Sequence, residues 1–363
     1  MPRPFEIAAS EVSGLNVGET SPSSILTLDP LAVSNWDDQV KGLSGYSFFH
    51  SASWARTLED SYGYKPVYFA EMQGRKIRNL LPMMEVNSWL TGRRGVSLPF
   101  TDSCEALGAG TQALFDAATR MGQERGWRYW EARGSCGQPD TTPGYTTFLT
   151  HGIQVSGNED AIFNRFESSV RRAIRKGQNA GVSVDISQSM DDMRSFYRLH
   201  CQTRQKHGVP PQPFAFFESL HRHVVAHNLG FVVIARFQGR PISAGVFVHF
   251  GNKAIYKYGA SEESFSHLRG ANLVMWHAIQ WYARAGFERF DFGRTAKSNE
   301  GLRRFKLGWG AVEQPSRYYR FDFKNHCFVT GPDEAEGLSH RIFRRTPQPI
   351  SRFIGRVLYR HVA

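Results

Sequence analysis

Carboxylates and a lysine that suit proton transfer and charge stabilisation stand in three short segments of this 363-residue sequence. Asp102 lies in a predicted loop between apolar strands (PFTDSC), Asp291 lies in a predicted strand (GFERFDFGR), and Lys306 follows in GLRRFKLGWGA. A carboxylate in this strand can accept a proton from an attacking group, or it can fix Arg294 or a backbone turn. A lysine near a bound diphosphate or a transition-state carbonyl stabilises negative charge, and a strand lysine that faces water is the alternative.

Cationic side chains crowd one side of a predicted helix near the middle of the chain. The segment FNRFESSVRRAIRKGQNAG places apolar residues at helical spacing on one side and then stops at glycine. The other side carries Arg171, Arg172, Arg175 and Lys176. Because arginine forks match phosphate oxygens, this face could bind the phosphates of a nucleotide-linked or lipid-linked sugar, the interpretation that the family resemblance given below favours. A solvated helix face is the alternative.

One pattern of predicted elements occurs twice, at a spacing of about 160 residues. The segments GWRYWEARG (126–134) and GFERFDFGR (286–294) both follow an amphipathic helix that stops at glycine, and both predict an aromatic-rich strand. Upstream of each, two strands are predicted around a Gln-Gly-Arg turn, which begins at Gln73 and at Gln238. A repeat of this length indicates two similar α/β domains, and the cleft between them is the expected site.

The amino-acid composition and net charge of the chain limit the classes of protein to which it can belong. Hydrophobic residues make up 41% of the chain and charged residues 21%, which is typical of a globular protein. No apolar run approaches the ~18 residues of a membrane span. Residues 1–24 are predicted to be a flexible lead without a signal-peptide core, which favours a cytoplasmic protein. The net charge of +11 indicates an anionic partner: a phosphate-rich substrate, nucleic acid or an acidic lipid surface.

Cysteines and histidines do not predict a metal site. The scattered cysteines form no C-x-x-C pair, which favours reduced thiols: Cys104, Cys136, Cys201 and Cys327. A buried core role for Cys104 is favoured strongly over a nucleophilic one. His223 and His227 are four apart on a predicted helix, but no third ligand is evident.

Several of these segments together resemble the FemAB-like acyltransferases, which have two tandem domains of the GNAT acyltransferase fold. The resemblance is carried by SSVRRAIRKGQNAGV, YKYGAS, LRGANLVMWHAIQWYARAGFERFDFGR and GLRRFKLGWGA, and upstream by FFHSASWARTLEDSYGYKPVYFAE and GVSLPFTDSC. It extends over residues 50–322 and is most specific in the second half. The resemblance implies transfer of an acyl or aminoacyl group. The coiled-coil arm of some tRNA-dependent members is not apparent, which favours the branch tied to exopolysaccharide systems.

The resemblance also implies roles for individual residues. It makes Asp102 the best general-base candidate and places Phe305, Lys306 and Trp309 in a matched motif. Single-domain GNAT enzymes hold the pyrophosphate of coenzyme A on backbone N–H groups at a helix start. HLRGAN resembles a shortened form of that loop, and its donor-binding candidates are Arg269, Gly270, Ala271 and Asn272. A plain helix N-terminal turn is the alternative.

Tyr256 and Tyr258 lie two residues apart in a predicted strand and therefore share one face of it. They are predicted to line the acceptor cleft, or else to belong to the core. Tyr258 is a further catalytic candidate. Trp54 and Arg294 are further substrate-binding candidates.

The last segment of the chain, residues 329–363, forms a basic tail. HRIFRRTPQPISRFIGRVLYRHVA carries no acidic residue, and Phe353, Ile354, Val357 and Leu358 form one apolar stripe. This pattern is typical of a helix on an anionic membrane surface, so residues 341–363 are predicted to make peripheral contact with the inner face of the membrane. A helix packed on the body of the protein is the alternative.

These observations predict an α/β (α+β) protein with two tandem GNAT-like domains, residues 25–155 and 156–328, each a mixed sheet flanked by helices. The predicted function is transfer of an acyl or aminoacyl group onto an amine or hydroxyl of a cell-envelope or exopolysaccharide glycan precursor. The partner is then a phosphate-bearing glycan or a lipid-linked precursor. The donor, acyl-CoA or aminoacyl-tRNA, is predicted to be a substrate and not a tightly bound cofactor. The alternatives are an aminoacyl-tRNA-dependent peptidoglycan peptide ligase and a non-catalytic glycan or nucleic-acid binding module.

Overall fold

The computed structural model describes residues 24–134, 141–331 and 343–362. Residues 1–23 of the predicted lead, Cys136 and Arg341 lie outside this part of the chain. The strands are β1 (Ser24–Leu28), β2 (Lys65–Pro66), β3 (Tyr68–Gln73), β4 (Lys76–Leu81), β5 (Met84–Ser88), β6 (Gly92–Val96), β7 (Tyr129–Arg133), β8 (Thr146–Gln154), β9 (Ser183–Ser187), β10 (Gly230–Phe237), β11 (Arg240–Phe250), β12 (Lys253–Ser261), β13 (Arg289–Ala296), β14 (Val312–Asp322) and β15 (Cys327–Phe328). The helices are α1 (Trp36–Lys41), α2 (Ala52–Tyr62), α3 (Gln112–Glu124), α4 (Glu159–Asn164), α5 (Ser168–Asn179), α6 (Met190–Lys206), α7 (Phe214–His223), α8 (Gly270–Arg284), α9 (Glu300–Leu307) and the C-terminal helix (Gln348–Leu358).

Most strands join one mixed sheet in the order β2-β5-β6-β7-β14-β8-β13-β12-β11-β10-β9, and β15 pairs with β14. Three other strands of the first half form a separate sheet in the order β1-β3-β4. Neighbouring strands are antiparallel except for β6 with β7 and β12 with β13, which are parallel. The mixed sheet with flanking helices confirms the predicted α/β fold class.

The strand register shows the predicted repeat directly. In the first half Val96 of β6 lies opposite Glu131 of β7, and in the second half Ile255 of β12 lies opposite Asp291 of β13. A helix precedes each parallel strand, α3 in the first half and α8 in the second. Glu131 and Asp291 therefore occupy equivalent positions within the two repeated segments.

The hairpin around the Gln-Gly-Arg turn is continuous in the second half and interrupted in the first. β10 and β11 pair over their whole shared length, whereas the first-half strands break between β2 and β3 and between β4 and β5. Pro66 and Pro82 stand at these breaks, and proline has no N–H to donate to the ladder. A single hydrogen bond from Val67 N to Met83 O, at 2.8 Å, spans the interruption.

The two halves are joined by their last strands. β8 follows the first half in sequence but pairs with β13 of the second half, and β14 follows the second half but pairs with β7 of the first. β8 and β14 also pair with each other between the two halves. The sheet is therefore continuous across the junction, while the domain boundary near residue 155 stays a prediction.

The basic helix α5 is held against α8 by a close approach at Gly177. A Cβ atom at this position would lie 2.9 Å from side-chain atoms of Leu273 and 3.1 Å from the carbonyl oxygen of Leu268. Val170 and Ile174 are buried on the same side of α5. The opposite, cationic side therefore faces outward beside the start of α8.

The variant Gly177→Val is expected to lower the free energy of unfolding by about 1–3 kcal/mol, because the added atoms overpack the contact between α5 and α8. The matched control is Gln178→Val on the next, exposed position of the same helix, where only the small helix-propensity penalty of about 0.5 kcal/mol applies. Urea titration of both variants measures the difference, and equal losses would contradict the close packing.

Candidate functional site

The parallel strands β12 and β13 pair over only three residues each, Lys253–Ile255 with Arg289–Asp291. On its other edge β13 pairs with β8 from Arg289 to Ala296, with an irregularity between Asp291 and Arg294, whereas its pairing with β12 ends at Asp291. Gly293 adopts φ 72°, a conformation that favours glycine, and a Cβ there would lie 3.3 Å from Asp102 Oδ1. The two strands separate at this point, and the loop that carries Asp102 lies against the opening.

This loop follows β6 in the first half and has a strained backbone. Leu98 and Phe100 have φ values of 52° and 59°, which are uncommon for residues other than glycine. Strain of this kind concentrates at functional sites, where the surroundings hold it in place. The Tyr318 hydroxyl donates to Asp102 O at 2.8 Å, so β14 of the second half helps to hold the loop.

Asp102 forms a buried ion pair with Lys257 of β12. Lys257 Nζ lies 2.9 Å from Asp102 Oδ2, and the two side chains are 5% and 19% exposed. Lys257 Nζ also donates to Phe100 O at 2.7 Å, and Asp102 Oδ1 accepts from Arg294 N at 3.4 Å. Burial alone would raise the pKa of Asp102, but the charges of Lys257, Arg294 and Lys306 lower it on balance. The Asp102 carboxylate is charged, and both of its oxygens have a hydrogen-bond partner. Its role as general base stays a prediction.

A bulge in β12 explains why Lys257 reaches this position. Tyr256 lies opposite Phe247 of β11 and Tyr258 lies opposite Val246, so Lys257 is the extra residue. One inserted residue reverses the alternation of faces. The prediction that Tyr256 and Tyr258 share a face is therefore wrong: they belong to two different hydrophobic clusters, one on each side of the sheet.

Asp291 has the environment expected of a proton acceptor. Its Oδ1 accepts from Gly293 N at 2.7 Å, the backbone-turn contact considered from the sequence. The side chain also lines a cavity of about 290 Å³ between the two halves, together with Asp102, His50, Lys253 and others. Burial raises the pKa of Asp291 to about 6. A half-buried carboxylate that titrates near neutral pH suits general-base chemistry better than the paired Asp102.

Lys306 lies on α9 and not on a strand, and it is buried beside both carboxylates. Its Nζ donates to Gly293 O at 2.7 Å and to Arg294 O at 3.1 Å. Burial lowers the pKa of Lys306 to about 8, although Asp102 and Asp291 favour its charged form. The ammonium group therefore fixes the irregular backbone of β13 and adds positive charge at the opening.

Glu131, the equivalent residue in the first half, has its negative charge balanced by two arginines. Glu131 lies 2.9 Å from Arg133 and 2.5 Å from Arg320, and its side chain is 6% exposed. Burial raises the pKa of Glu131, but the two arginines outweigh burial and lower it overall. Only the second of these two repeated carboxylates, Asp291, titrates near neutral pH, which places the candidate chemistry in the second half.

Cations from three helices line one groove on the second half, here called the basic groove. Arg172 and Lys176 come from α5, Arg269 from the residue before α8, and Arg304 from α9. All four side chains are exposed, and the groove volume is about 590 Å³. Asn272, Phe305 and Glu167 also border it. Arg172 and Lys176 of α5 and Arg269 of the donor loop, which the sequence treated separately, therefore border one cationic groove.

The loop before α8 retains features of an anion site. Arg269 adopts φ 58° as the residue that precedes the helix, and Gly270 and Ala271 begin it. A Cβ at Gly270 would lie 3.2 Å from the side chains of Ile242 and Ser243, so a small residue is needed for this close approach. The N-terminus of a helix favours negative charge. Helix α9 connects the basic groove with the opening between β12 and β13, because it carries Arg304 and Phe305 at the groove and Lys306 at the opening.

The remaining candidates lie elsewhere. Trp54 is fully buried among Phe48, Phe49 and Phe216, because it lies on the inward side of α2, and it does not line the cleft. Trp309 is also fully buried but borders a second cavity of about 260 Å³, which adjoins the first through Arg289 and Gln314.

Two cationic candidates have aromatic partners. Arg294 donates to the Tyr318 hydroxyl at 2.9 Å and lies over the Phe148 ring. Arg175 lies over the Phe163 ring, and neither it nor Arg171 lines the basic groove.

Cys104 has the surroundings of a core residue. It is 1% exposed, its Sγ lies 3.7 Å from His50 Nε2, and burial raises the pKa of the thiol. Among the residues described, no group of three or more His, Cys, Asp and Glu side chains is arranged to hold a metal ion. His223 instead contacts Asp60, at 2.5 Å. None of the helices described is both long enough and apolar enough to cross a membrane.

The variant Asp102→Ala is expected to lower the free energy of unfolding by about 3–5 kcal/mol, because it leaves the buried Lys257 ammonium without its carboxylate. The control Glu263→Ala breaks the exposed pair with Lys206, which is expected to cost at most about 1 kcal/mol. Denaturant titration measures both. The double variant Asp102→Ala/Lys257→Met should recover part of the loss, and a double variant less stable than Asp102→Ala would contradict the explanation.

Asp291 is expected to make stability depend on pH below neutrality. Its folded-state pKa of about 6 exceeds its ordinary value, so the folded state binds the proton more tightly than the unfolded state. The stability of the wild type relative to Asp291→Asn should therefore fall as pH rises from about 4 to about 6 and stay constant above. Thermal unfolding of both proteins across this range measures the difference, and a flat difference would show an unperturbed carboxylate.

Comparison with known proteins relates this geometry to a family. Residues 164–313 match the model of the GNAT acetyltransferase domain, and this range contains β12, β13 and the groove. A UDP-N-acetylmuramoylpentapeptide-lysine N(6)-alanyltransferase from Weissella viridescens is 22% identical over 143 residues, which span 39% of this chain and 42% of that protein.

Solved structures share the fold over nearly their whole length. The crystal structure of FemX has a TM-score of 0.63 at 13% identity, covering 81% of this chain and 96% of FemX. A tandem GNAT protein from the clavulanic acid biosynthesis pathway has a TM-score of 0.52 at 10% identity, covering 83% and 98%. L-PGS from Bacillus licheniformis has a TM-score of 0.52 at 12% identity, covering 94% and 99%. The predicted resemblance to the FemAB-like acyltransferases is confirmed at the level of the fold: residues 164–313 match a GNAT acetyltransferase domain, and the chain shares the fold of FemX and of a tandem GNAT protein.

Proposed function

We propose that this protein transfers an acyl or aminoacyl group onto an amine or hydroxyl of a phosphate-bearing cell-envelope or exopolysaccharide glycan precursor. The observation that carries the proposal is the opening between β12 and β13, where Asp291 lines a cavity and Lys306 adds positive charge. The match to an acetyltransferase domain over the same residues supports the reaction class. The donor is a substrate that binds and leaves.

The basic groove is the proposed site for the phosphates of the donor. It combines the exposed cations Arg172, Lys176 and Arg304 with the positive end of α8. Acyl-CoA and aminoacyl-tRNA share a phosphate-rich tail attached to a reactive carbonyl, and both fit this chemistry. Asp291 and Lys306 lie at the strand opening, which α9 connects to the groove.

Direct transfer needs one proton acceptor and no covalent enzyme intermediate. The acceptor nitrogen or oxygen attacks the donor carbonyl and gives its proton to the Asp291 carboxylate. The carbon–sulfur or carbon–oxygen bond to the donor then breaks, and the leaving thiolate or alkoxide takes up the proton that Asp291 holds, which restores the carboxylate. The cavity between the halves, bordered by Lys253, Arg289 and Asp291, is the proposed place of the acceptor.

An aminoacyl-tRNA-dependent peptidoglycan ligase is the second candidate. The similarity to an alanyltransferase named for a muramoylpentapeptide lysine favours it, although the matched segment covers under half of that protein. tRNA binding through the groove would weaken steeply with salt, because each neutralised phosphate releases counterions. Coenzyme A binding would depend on salt less steeply.

The test uses purified protein, a bacterial lipid extract as acceptor, and labelled acetyl-CoA or labelled alanyl-tRNA as donor. Label in the lipid-linked fraction is expected from one donor. The double variant Arg172→Glu/Lys176→Glu should raise the KM for that donor at least about tenfold, because charge-assisted bonds to phosphate contribute about 1.5–3 kcal/mol each. Arg171→Glu is the matched control on the same helix, outside the groove. No transfer from either donor to this extract or to soluble nucleotide-linked precursors would contradict the proposal and favour a binding module.

The rate is expected to depend on the ionisation of Asp291. In the active preparation kcat/KM should rise with pH up to an apparent pKa near 6, because the deprotonated carboxylate is the base. Asp291→Asn should lower kcat by about 10²–10⁴-fold and abolish this limb of the profile. Full activity of Asp291→Asn would exclude the carboxylate as the base.

A further inference from the structure

Exposed apolar side chains concentrate in two segments, the β5–β6 turn and residues 350–362, which together are here called the apolar face. In the described part of the chain eleven large hydrophobic side chains are exposed, and six of them lie in two short segments. Their exposed fractions are 84% for Trp89, 51% for Leu90, 52% for Ile350, 66% for Phe353, 42% for Val357 and 50% for Val362. A cluster of exposed aromatic and aliphatic groups in a globular protein indicates an interaction surface.

The C-terminal helix packs on the body of the protein with its small residues. Ser351 and Gly355 are buried, and a Cβ at Gly355 would lie 2.0 Å from the carbonyl oxygen of Pro211. The apolar stripe expected from the sequence is divided: Ile354 and Leu358 are half-buried, whereas Phe353 and Val357 are exposed. The helix is therefore docked on the protein and presents a second apolar side to solvent.

Hydrogen bonds tie the β5–β6 turn to the end of this helix. Ser88 Oγ lies 2.9 Å from His361 Nδ1, and Arg94 Nη2 donates to His361 O at 2.7 Å. The Trp89 ring contacts the His361 ring at a centroid distance of 5.4 Å. Trp89 therefore adjoins the C-terminal segment at His361, and these contacts hold the two segments side by side.

The charges that the C-terminal segment contributes to the apolar face are positive. Arg352 and Arg356 are exposed on the same helix, Arg360 follows it, and residues 343–362 contain no acidic side chain. Glu218 borders the groove between this helix and α7 together with Arg352 and Arg356. A second copy of the chain would bring like charges together, since the net charge is +11. Anionic phospholipid head groups complement the arginines, and the interfacial region suits an exposed tryptophan.

We propose that the apolar face docks the protein on an anionic phospholipid bilayer, with Trp89, Phe353 and Val357 inserted below the head groups and Arg352, Arg356 and Arg360 among them. The docking face lies close to the candidate site. Tyr359 at the end of the helix packs against Phe100 at a ring distance of 5.7 Å, two residues before Asp102. The inference does not rest on the transfer reaction, because binding is measured without any donor or acceptor.

The test is co-sedimentation of the full-length protein with phosphatidylcholine vesicles prepared with and without phosphatidylglycerol. Binding is expected only with phosphatidylglycerol and should weaken as salt increases. Phe353→Asp and Trp89→Asp should each weaken binding at least about tenfold, because burying one such ring contributes about 1.5–3 kcal/mol. Arg352→Glu/Arg356→Glu should weaken it comparably.

Matched controls separate this face from general charge and hydrophobicity. Ile186→Asp replaces an apolar side chain that is 38% exposed on β9, and Arg222→Glu reverses an exposed charge on α7. Both should bind vesicles like the wild type, and all variants should keep the wild-type unfolding temperature because the positions are exposed. Absence of binding to phosphatidylglycerol vesicles, or equal losses in the controls, would overturn the proposal. Dimerisation that Phe353→Asp abolishes, without vesicle binding, would assign the face to a second copy instead.

Discussion

The buried ion pair between Asp102 and Lys257 is the contact on which the arrangement of the site depends. Asp102 belongs to a strained loop of the first half and Lys257 to a bulge in a strand of the second half. Two charges removed from water stabilise each other only in good geometry, so the loop and the bulge fix each other's position. The same ammonium group also binds the carbonyl oxygen of Phe100. Both halves must be folded and joined before the opening between β12 and β13 takes its shape.

The repeat produced two similar halves, and electrostatics distinguishes them. Glu131 and Asp291 occupy equivalent places beside a parallel strand pair. Two arginines hold Glu131 ionised, whereas the burial of Asp291 is only partly offset, so its pKa rises towards neutrality. One half then supplies a scaffold and the Asp102 loop, and the other half supplies the titratable carboxylate, the buried lysine and the basic groove. This division is consistent with a single reaction site at the junction of the two halves.

The two anionic partners proposed for this chain meet different kinds of positive surface. The basic groove is concave and lies at the start of a helix, where side-chain cations and the helix dipole act together on phosphate groups. The apolar face mixes arginine with exposed aromatic and aliphatic groups, which suits the interface of a bilayer. Tyr359 and Phe100 connect this second surface to the Asp102 loop. A glycan precursor held at a membrane would therefore be presented close to the reacting groups.

The sequence alone determined the tandem α/β architecture, the two repeated segments that contain Glu131 and Asp291, and the cationic side of α5, because these follow from local periodicity and from the repeat. It also supplied Asp291 and Lys306 as candidates and the amphipathic character of the C-terminal helix. Tertiary structure alone decided that a bulge separates Tyr256 from Tyr258, that Lys257 pairs with Asp102, and that Trp54 is buried. It also joined Arg172 and Lys176 of α5 with Arg269 in one groove and turned Phe353 outward while Ile354 packs inward. Local sequence patterns do not record packing against distant segments. Such packing decides where a one-residue bulge forms, whether residues 155 apart meet, and which of two apolar sides of a helix is buried.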